Sequence, residues 1–322
     1  MILAGIDIGT NTLRLLVAET VPHTFQELCS ERRITRLGQD LDRTGMLSNE
    51  ARQRSISALL DFRDSIRRHD VLHTAAIGTS ALRKASNAHE FIVDVKKKTG
   101  LDVRVITGEE EAHLTLLGVS HVLREIGGAT ADGRVGSSVV IDIGGGSTEI
   151  IRTRPGAEPE VVSLALGAVY LTERFIKHDP PSRTELGLLR RTIRSELRKH
   201  DKILGQNPAG ALAGTAGTVT TLAAMVQELT EYDPEMINRF ILTSEAIDGI
   251  IAVLSRSTLK ERKNMPGLES GREDIILAGA MVAQEIMARY GQTTMAVSDW
   301  GLREGVILDL YDKVRKDQNT RA

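Results

Sequence analysis

A pair of carboxylates flanks a glycine turn in the middle of the chain. Residues 139–151 read Val-Val-Ile-Asp-Ile-Gly-Gly-Gly-Ser-Thr-Glu-Ile-Ile, so Asp142 and Glu149 interrupt apolar, β-branched runs. Glycines allow positive φ angles and close approach to a ligand, and consecutive amides in such a turn suit phosphate oxygens. Carboxylates beside a phosphate suit Mg²⁺. The segment predicts a strand–turn–strand unit that binds phosphate and a divalent cation, and an ordinary hairpin with acidic edges is the alternative.

A second copy of this pattern lies at the start of the chain. Residues 2–17 contain an apolar run, Asp7, a turn that includes Gly9, and a second apolar run. Repetition of one supersecondary unit within a chain indicates related halves. We therefore expect two related halves that hold a phosphate between them.

Two strand-to-helix junctions offer further anion contacts. Thr79 and Ser80 follow a buried strand, and Arg83 comes within the next turn, which suits an anion contact and plain helix capping equally well. Residues 214–218, Gly-Thr-Ala-Gly-Thr, place backbone amides at a helix N-terminus. This junction lacks the lysine of a Walker P-loop and is therefore not one.

Three consecutive carboxylates, Glu109, Glu110 and Glu111, begin another predicted helix. Acidic residues in a first helical turn complement the helix dipole, which accounts for them without any chemistry. A carboxylate that points from a strand end into a cleft can instead act as a general base. The sequence pattern supports both interpretations equally.

Length and composition exclude several classes of protein. The chain has 322 residues, enough for two domains, and a net charge of −2, which indicates neither a nucleic-acid nor a membrane-surface partner. Cys29 is the only cysteine, so the sequence holds no disulfide framework. Residues 2–17 carry Asp7 and Arg14 and do not form a signal peptide. We expect a cytoplasmic protein without a membrane span.

Strands alternate with helices along the chain, which predicts an α/β architecture with a mostly parallel or mixed sheet in each half. Ser48 and Ser86 are predicted to cap helices, and a long basic helix is expected over residues 182–204. The glycine-rich residues 127–136 are expected to connect two domains.

Taken in order, these motifs resemble the exopolyphosphatase / guanosine pentaphosphate phosphohydrolase family over essentially the whole chain. The resemblance rests on both hairpins, on Thr79–Arg83, Gly108–Ala112, Leu166–Val169 and Gly214–Thr218, and on Leu302–Gly305. It implies two ribonuclease-H-like lobes of the actin, sugar-kinase and heat-shock-chaperone superfamily, with the active-site cleft between them. Lobe I would comprise residues 1–125 and 300–322, and lobe II residues 126–299. The chain resembles the short, two-domain form.

The resemblance also implies roles for individual residues. Glu111 matches the carboxylate that activates water, chosen over Glu110 because it directly precedes Ala112. Asp142 and Glu149 match the metal-binding positions, for Mg²⁺ or alternatively Mn²⁺. The phosphate-binding positions are matched by Asp7, Gly9, Thr10, Asn11, Thr12, Arg83, Gly144, Gly145, Gly146, Ser147, Gly214, Thr215, Gly217 and Thr218. Ala216 stands where serine is usual, which leaves a backbone contact there but no hydroxyl.

The implied chemistry is hydrolysis of a terminal phosphoanhydride, which needs charge neutralisation and an oriented, in-line water. Inorganic polyphosphate and pppGpp both end in this bond, and both stay open as substrates. The resemblance further suggests a homodimer. Two rival interpretations are a sugar or acetate kinase of the same superfamily, which needs an acceptor pocket, and a non-enzymatic, actin-like nucleotide-binding protein.

Overall fold

The computed structural model describes residues 1–21, 24–126, 137–205 and 210–321. The chain divides into two compact units, the first made of Met1–Gly118 and Gly301–Ala322 and the second of Val119–Trp300. The second unit is therefore inserted, in sequence, into the first. The lobe limits expected from sequence, residues 125 and 300, stay a prediction. The expected connector at residues 127–136 lies outside the described residues.

The first half of the chain contains β1 (Ile2–Ile8), β2 (Thr12–Val21), β3 (Thr24–Ile34), α1 (Leu41–Thr44), α2 (Asn49–Arg68), β4 (His73–Gly78), α3 (Ser80–Lys84), α4 (Ala88–Thr99), β5 (Val103–Val105) and α5 (Gly108–Ile126). The remainder contains β6 (Ser138–Ile143), β7 (Thr148–Thr153), β8 (Glu160–Leu164), α6 (Ala168–Phe175), α7 (Arg183–Lys199), α8 (Asp201–Leu204), β9 (Ala211–Thr215), α9 (Ala216–Val226), α10 (Pro234–Ile237), β10 (Ile241–Thr243), α11 (Ser244–Leu254), α12 (Leu259–Arg262), α13 (Ile276–Arg289), β11 (Thr294–Val297) and α14 (Leu302–Arg321).

Each unit is built on one mixed sheet. In the first unit the strand order is β3-β2-β1-β4-β5. Strand β2 is antiparallel to both β1 and β3, and β4 and β5 run parallel to β1. The second unit repeats the arrangement as β8-β7-β6-β9-β11 and adds β10 at the edge, antiparallel to β11. The predicted α/β fold class is confirmed, and the shared order agrees with two ribonuclease-H-like halves.

Alternation along β1 decides what each face of the first sheet packs against. Ile6 and Ile8 belong to a core cluster with residues of α2 and α4, such as Phe62 and Phe91. Leu3, on the other face, packs with residues of β2 and α14. Because side chains alternate in a strand, Asp7 lies on the same face as Leu3. The apolar strand residues thus fix which way the polar ones project.

Helices α5 and α14 approach each other closely in the first unit. A Cβ atom at Gly305 would lie 1.8 Å from the Leu114 carbonyl oxygen, and one at Gly118 would lie 2.0 Å from the Gly301 carbonyl oxygen. Real Cβ atoms essentially never come within 3.0 Å of a neighbour. Glycine is therefore required where these two helices cross.

Of the two predicted helix caps, Ser48 is confirmed and Ser86 is wrong. Ser48 caps α2 and accepts a hydrogen bond from the Ala51 amide (3.2 Å), as predicted. The prediction for Ser86 is wrong, because α4 begins after Asn87, and the Ser86 hydroxyl donates to the Gly45 carbonyl instead. The helix expected over 182–204 is interrupted at His200 between α7 and α8. Among the described residues, no helix has the length and apolarity needed to cross a bilayer.

Candidate active site

The hairpin of the second unit forms as the sequence predicts. The Gly144 amide donates to the Ser147 carbonyl (3.0 Å), which closes the turn between β6 and β7. Gly144 and Gly145 offer their carbonyls to the first amides of α6, and a Cβ at Gly167 would lie 2.3 Å from the Gly145 oxygen. Within the described ranges, the amides of Gly145 and Ser147 make no hydrogen bond. Unbonded amides in a turn are what an anion-binding site needs.

The hairpin of the first unit has the same construction. Gly9 donates to the Thr12 carbonyl (3.1 Å), and a Cβ at Gly9 would lie 2.8 Å from that oxygen. Thr10, Asn11 and Thr12 are buried. Across the described part of the chain, the amides of Thr10 and Asn11 and the buried Thr10 hydroxyl oxygen have no hydrogen-bond partner. Unsatisfied buried groups cost about 1–3 kcal/mol each, so an anion that accepts hydrogen bonds from them would be stabilised here.

A row of polar side chains crosses four strands of the second sheet. Asp142 of β6 pairs directly with Glu149 of β7 on one side and with Thr215 of β9 on the other. Glu149 in turn pairs with Ser163 of β8, whose hydroxyl donates to the Glu149 Oε1 atom (2.7 Å). Cross-strand partners project from the same face. The register therefore brings together the predicted metal carboxylates and one residue of the third predicted phosphate loop.

Asp142 and Glu149 place two buried carboxylates side by side. Asp142 and Glu149 are 6% and 1% exposed. Hard carboxylate oxygens suit a divalent ion, and Mg²⁺ in phosphate sites typically uses one or two carboxylates, with water and phosphate oxygens as further ligands. Of the residues that the structure describes, no three His, Cys, Asp or Glu side chains converge as a metal site. This pair is thus the donor set that fits a divalent cation.

The corresponding pair in the first unit has opposite charges. Asp7 of β1 pairs with Arg14 of β2, which has the same seven-residue spacing as Asp142 and Glu149. The register thus places a guanidinium where the second hairpin has its second carboxylate. The two hairpins are therefore alike in backbone and different in charge.

Glu111 and Arg83 form an ion pair in the first unit. Arg83 Nη1 donates to Glu111 Oε2 (2.6 Å) and to the Ile106 carbonyl (3.0 Å). Glu111 is 7% exposed. Because a guanidinium carries five N–H donors, Arg83 can hold Glu111 and still contact an anion. α3, which carries Arg83, begins beside the first turn, since the Thr79 amide donates to the Ile8 carbonyl (3.3 Å).

The two preceding glutamates interact with groups at the start of α5. Glu110 Oε2 accepts from the Thr107 amide (3.1 Å) and Oε1 accepts from Arg104 (2.6 Å), and these bonds lower the pKa of Glu110. The pKa of Glu109 is lowered as well, first by its own backbone N–H and then by the Thr107 hydroxyl. Lowered pKa values make both carboxylates weaker bases. Glu111 alone of the three is buried.

The third predicted phosphate loop joins β9 to α9. The Thr215 hydroxyl donates to the Trp300 carbonyl (2.9 Å). Ala216 has φ +67°, a left-handed conformation that strains any residue with a Cβ atom and is often found at functional sites. A Cβ at Gly279 would lie 2.4 Å from the Thr218 methyl, so this side chain packs against α13. Any phosphate contact of Thr218 would come from its backbone.

Comparison with known proteins agrees with these features. The model of the Ppx/GppA phosphatase family matches residues 16–314. The chain belongs to that family. Exopolyphosphatase 2 of Mycobacterium tuberculosis is 34% identical over 323 residues, covering 95% of this chain and 98% of the relative. The Aquifex aeolicus family member, a solved structure, is 33% identical with a TM-score of 0.79, covering 97% and 98%. An exopolyphosphatase structure from Cytophaga hutchinsonii is 29% identical with a TM-score of 0.86, covering 97% and 98%.

Sequence reasoning missed two residues of this Ppx/GppA site. Ser163 lies in a predicted strand, and only the cross-strand register shows that its hydroxyl meets Glu149. Arg272 is buried and donates to Glu269 (2.6 Å), and a Cβ at Gly217 would lie 2.0 Å from its Nη2 atom. This guanidinium therefore packs directly against the third loop. A lone arginine in a polar segment gives no sequence signal of such a position.

Proposed function

We propose that the protein is an exopolyphosphatase, a phosphoanhydride hydrolase that releases the terminal phosphate of inorganic polyphosphate. The observation that carries the proposal is the buried Asp142–Glu149 pair beside a turn with unbonded amides. Membership of a phosphatase family and the names of the relatives point to the same chemistry. A carboxylate pair and an amide-lined turn together serve a ligand that is both anionic and metal-bound, as a phosphate chain is.

The two turns and the loop between β9 and α9 would contribute phosphate contacts, with the unbonded amides of Thr10, Asn11, Gly145 and Ser147 as donors. In the first unit the contact residues are Gly9, Thr10, Asn11 and Thr12, with Asp7 beside them; in the second they are Gly144, Gly145, Gly146 and Ser147, followed by Gly214, Thr215, Gly217 and Thr218. Preorganised donors stabilise charge that develops in the transition state. Arg83 would add a cationic contact.

Asp142 and Glu149 would hold the divalent cation, Mg²⁺ or alternatively Mn²⁺. When bound, such an ion neutralises charge on phosphoryl oxygens. The hydroxyl of Ser163 fixes the orientation of Glu149 (2.7 Å). A hydrogen-bonded carboxylate keeps one geometry, which is the usual task of groups behind a metal ligand.

Glu111 would orient the attacking water and accept its proton. Its burial and its bond to Arg83 Nη1 (2.6 Å) hold the carboxylate in one position, whereas Glu110 is exposed and bonded through both oxygens. General bases contribute about 10²–10⁴-fold to turnover. Glu111→Gln should therefore lose about two to four orders of magnitude in kcat for tripolyphosphate.

The matched control is Glu110→Gln, one residue earlier on the same helix. We expect it to keep kcat within a few-fold and to lose only helix capping. Both variants should keep the far-ultraviolet circular dichroism spectrum of the wild type. Full activity in Glu111→Gln, or an equal loss in both variants, would show that Glu111 is not the base.

We propose conversion of pppGpp to ppGpp as a second reaction of the same site, because it breaks the same terminal bond. The test is phosphate release from short polyphosphate, long polyphosphate and pppGpp side by side, with Mg²⁺ and with EDTA. Release from polyphosphate that EDTA abolishes supports the proposal. Transfer to an acceptor without release of free phosphate would favour a kinase, and no reaction at all would favour a nucleotide-binding protein.

We further propose a homodimer located in the cytoplasm, as the family resemblance suggests. Light scattering coupled to size-exclusion chromatography measures the mass directly. A mass near 70 kDa, twice the 35.1 kDa of the chain, is expected for the dimer. Cell fractionation tests the location.

A further inference from the structure

Arg262, the last residue of α12, is buried inside the second unit. Its side chain is almost fully enclosed, at 1% exposure. The Nη1 atom donates to the Glu273 carbonyl (2.9 Å), and the Nη2 atom donates to the Leu254 carbonyl (2.7 Å). Over the described part of the chain, Arg262 forms no ion pair, and its Nε atom has no hydrogen-bond partner. Backbone carbonyls, and not a carboxylate, therefore hold this guanidinium.

A buried charge without a close partner is costly to the fold. Burial lowers the pKa of Arg262, and Asp179 and Asp274 counteract this only from beyond ion-pair distance. An apolar side chain of similar volume often serves stability equally well. Only a guanidinium, however, offers a rigid fork of donors that joins two carbonyls in fixed positions. Since Leu254 ends α11 and Glu273 lies just before α13, Arg262 ties together the two ends of the loop between these helices.

The far end of this loop is a tight turn that carries Arg272. The Arg272 amide donates to the Glu269 carbonyl (3.1 Å), and its Nε atom donates to Glu269 Oε2 (2.6 Å). The Gly271 amide donates to Glu273 Oε2 (2.9 Å), and Gly271 has φ +88°. The position of the Glu273 backbone, which Arg262 holds, thus determines where the turn and Arg272 lie.

Arg272 in turn packs against the loop between β9 and α9. A Cβ atom at Gly217 would lie 2.0 Å from Arg272 Nη2 and 2.5 Å from its Cζ atom. Ala216, directly before Gly217, has the strained φ of +67°. Strained backbone persists only where the surrounding structure enforces it. The guanidinium of Arg272 is the part of that surrounding structure that lies directly on Gly217.

We propose that Arg262 is a positioning residue for the loop between β9 and α9. It fixes the Glu273 backbone and thereby holds Arg272 against Gly217. The inference rests on the proposed function, since that function assigns phosphate contacts to this loop. Arg262 itself is enclosed in the second unit and acts only through Arg272.

A plain structural role, attachment of α12 to the unit, does not require Arg262. The Leu259 amide already donates to Asp179 Oδ1 (2.9 Å) and Oδ2 (3.1 Å). Thr258 and Glu261 form a capping box at the start of the helix, with the Thr258 amide donating to Glu261 Oε2 (2.7 Å). Helix α12 is therefore anchored at its start by other groups, and the bond from Arg262 to Glu273 is left to serve the turn of Arg272.

The test compares Arg262→Met with Arg289→Met. Arg289 is the matched control, because it also lies in the second unit and donates to a backbone carbonyl, that of Gly205 (2.9 Å), but at the opposite end of α13. At a temperature where circular dichroism shows every variant to be folded, Arg262→Met should lower kcat/KM for tripolyphosphate by about 10- to 100-fold. Arg289→Met should stay within about twofold of the wild type. Arg262→Lys, which keeps donors but not the planar fork, should recover only part of the loss.

A double-mutant cycle separates positioning from a general loss of structure. Because Arg262 acts through Arg272, adding Arg262→Met to Arg272→Gln should lower kcat/KM by no more than about twofold further. A merely structural residue would lower kcat/KM by the same factor in both backgrounds. That result would overturn the proposal, as would equal losses in Arg262→Met and Arg289→Met. Should Arg262→Met fail to fold, Arg262→Lys is carried through the same cycle, with the same outcomes deciding.

Backbone hydrogen exchange distinguishes failure of this inference from failure of the proposed function. In Arg262→Met, amides of residues 269–274 should exchange faster, while those of β6 and β7 keep the rate of the wild type. If the wild type hydrolyses nothing but exchange changes in this local way, the positioning role stands and the hydrolase is refuted. If the wild type hydrolyses polyphosphate and Arg262→Met has normal kcat/KM and normal exchange, the positioning role is refuted and the hydrolase stands.

Discussion

Replacing Asp142 by asparagine should stabilise the metal-free protein. Asp142 and Glu149 are buried and directly opposite on β6 and β7. At a separation of about 5 Å and an effective dielectric constant of about 20, two like charges repel by about 3 kcal/mol. The Ser163 hydrogen bond to Glu149 offsets part of this repulsion. We therefore expect Asp142→Asn to raise the free energy of unfolding in EDTA by about 1–3 kcal/mol.

The same substitution should remove the response to the metal. A cation present at 100 times its dissociation constant stabilises the wild type by about 2.7 kcal/mol. With only one carboxylate left, Asp142→Asn should gain far less from Mg²⁺. Urea unfolding at pH 7, in EDTA and in excess Mg²⁺, measures both effects. The advantage of the variant in EDTA should shrink by about 2–3 kcal/mol on adding the metal, and it should reverse where it is smaller than the gain of the wild type.

The matched control is Asp201→Asn, also in the second unit. Asp201 is paired with Arg289 (2.7 Å), so this change removes an attraction and should lower or leave unchanged the free energy of unfolding. Its response to Mg²⁺ should equal that of the wild type. If Asp142→Asn is less stable than the wild type in EDTA and keeps the full response to Mg²⁺, the inference from opposed carboxylates is wrong.

Two further predictions concern stability. Gly305→Ala should lower the free energy of unfolding by about 1–3 kcal/mol, because its Cβ would lie 1.8 Å from the Leu114 oxygen. Gly249→Ala in α11, whose Cβ would have nothing within 4 Å, should raise the free energy of unfolding by about 0.5–1 kcal/mol. Urea unfolding that ranks the two variants the other way would refute the steric argument. Partial desolvation raises the pKa of Glu185, but hydrogen bonds from His178, Ser182 and Lys177 outweigh it and lower that pKa from 4.5 to about 2. The Glu185 carboxylate therefore stabilises the fold above pH 4.5 and loses this effect as the pH falls towards 2. The urea midpoint of unfolding of Glu185→Gln should vary less with pH across that window than the midpoint of the wild type. An equal pH dependence of the two midpoints would contradict the lowered pKa of Glu185.

Features whose signals lie within a few residues could be predicted from the sequence. Both hairpins are of this kind, because an apolar run, an aspartate and a glycine turn are enough to specify them. The Ser48 cap is another, since its acceptor and the Ala51 donor are three residues apart. The α/β class followed from the alternation of such local patterns.

Features that depend on a distant partner could not be predicted. Ser86 has the right residue type for a cap, but Asn87 is the residue fixed in place, by hydrogen bonds to the backbone of Leu47 (2.8 and 3.0 Å) forty residues earlier. The contact between Ser163 and Glu149 depends on the register in which β7 and β8 pair. The break at His200 between α7 and α8 likewise has no glycine or proline to announce it.

The order of the two units along the chain has a consequence for biosynthesis. Helix α14 covers Leu3, Leu16 and Ala18 of the first sheet, yet it is translated only after the whole of residues 119–300. At typical translation rates that interval lasts about 10–40 s. During this time the first sheet leaves the ribosome with one apolar face exposed, while the second unit has all of its own segments and can fold. Chaperone binding to the nascent chain is therefore expected at β1 and β2, and it should end when α14 emerges.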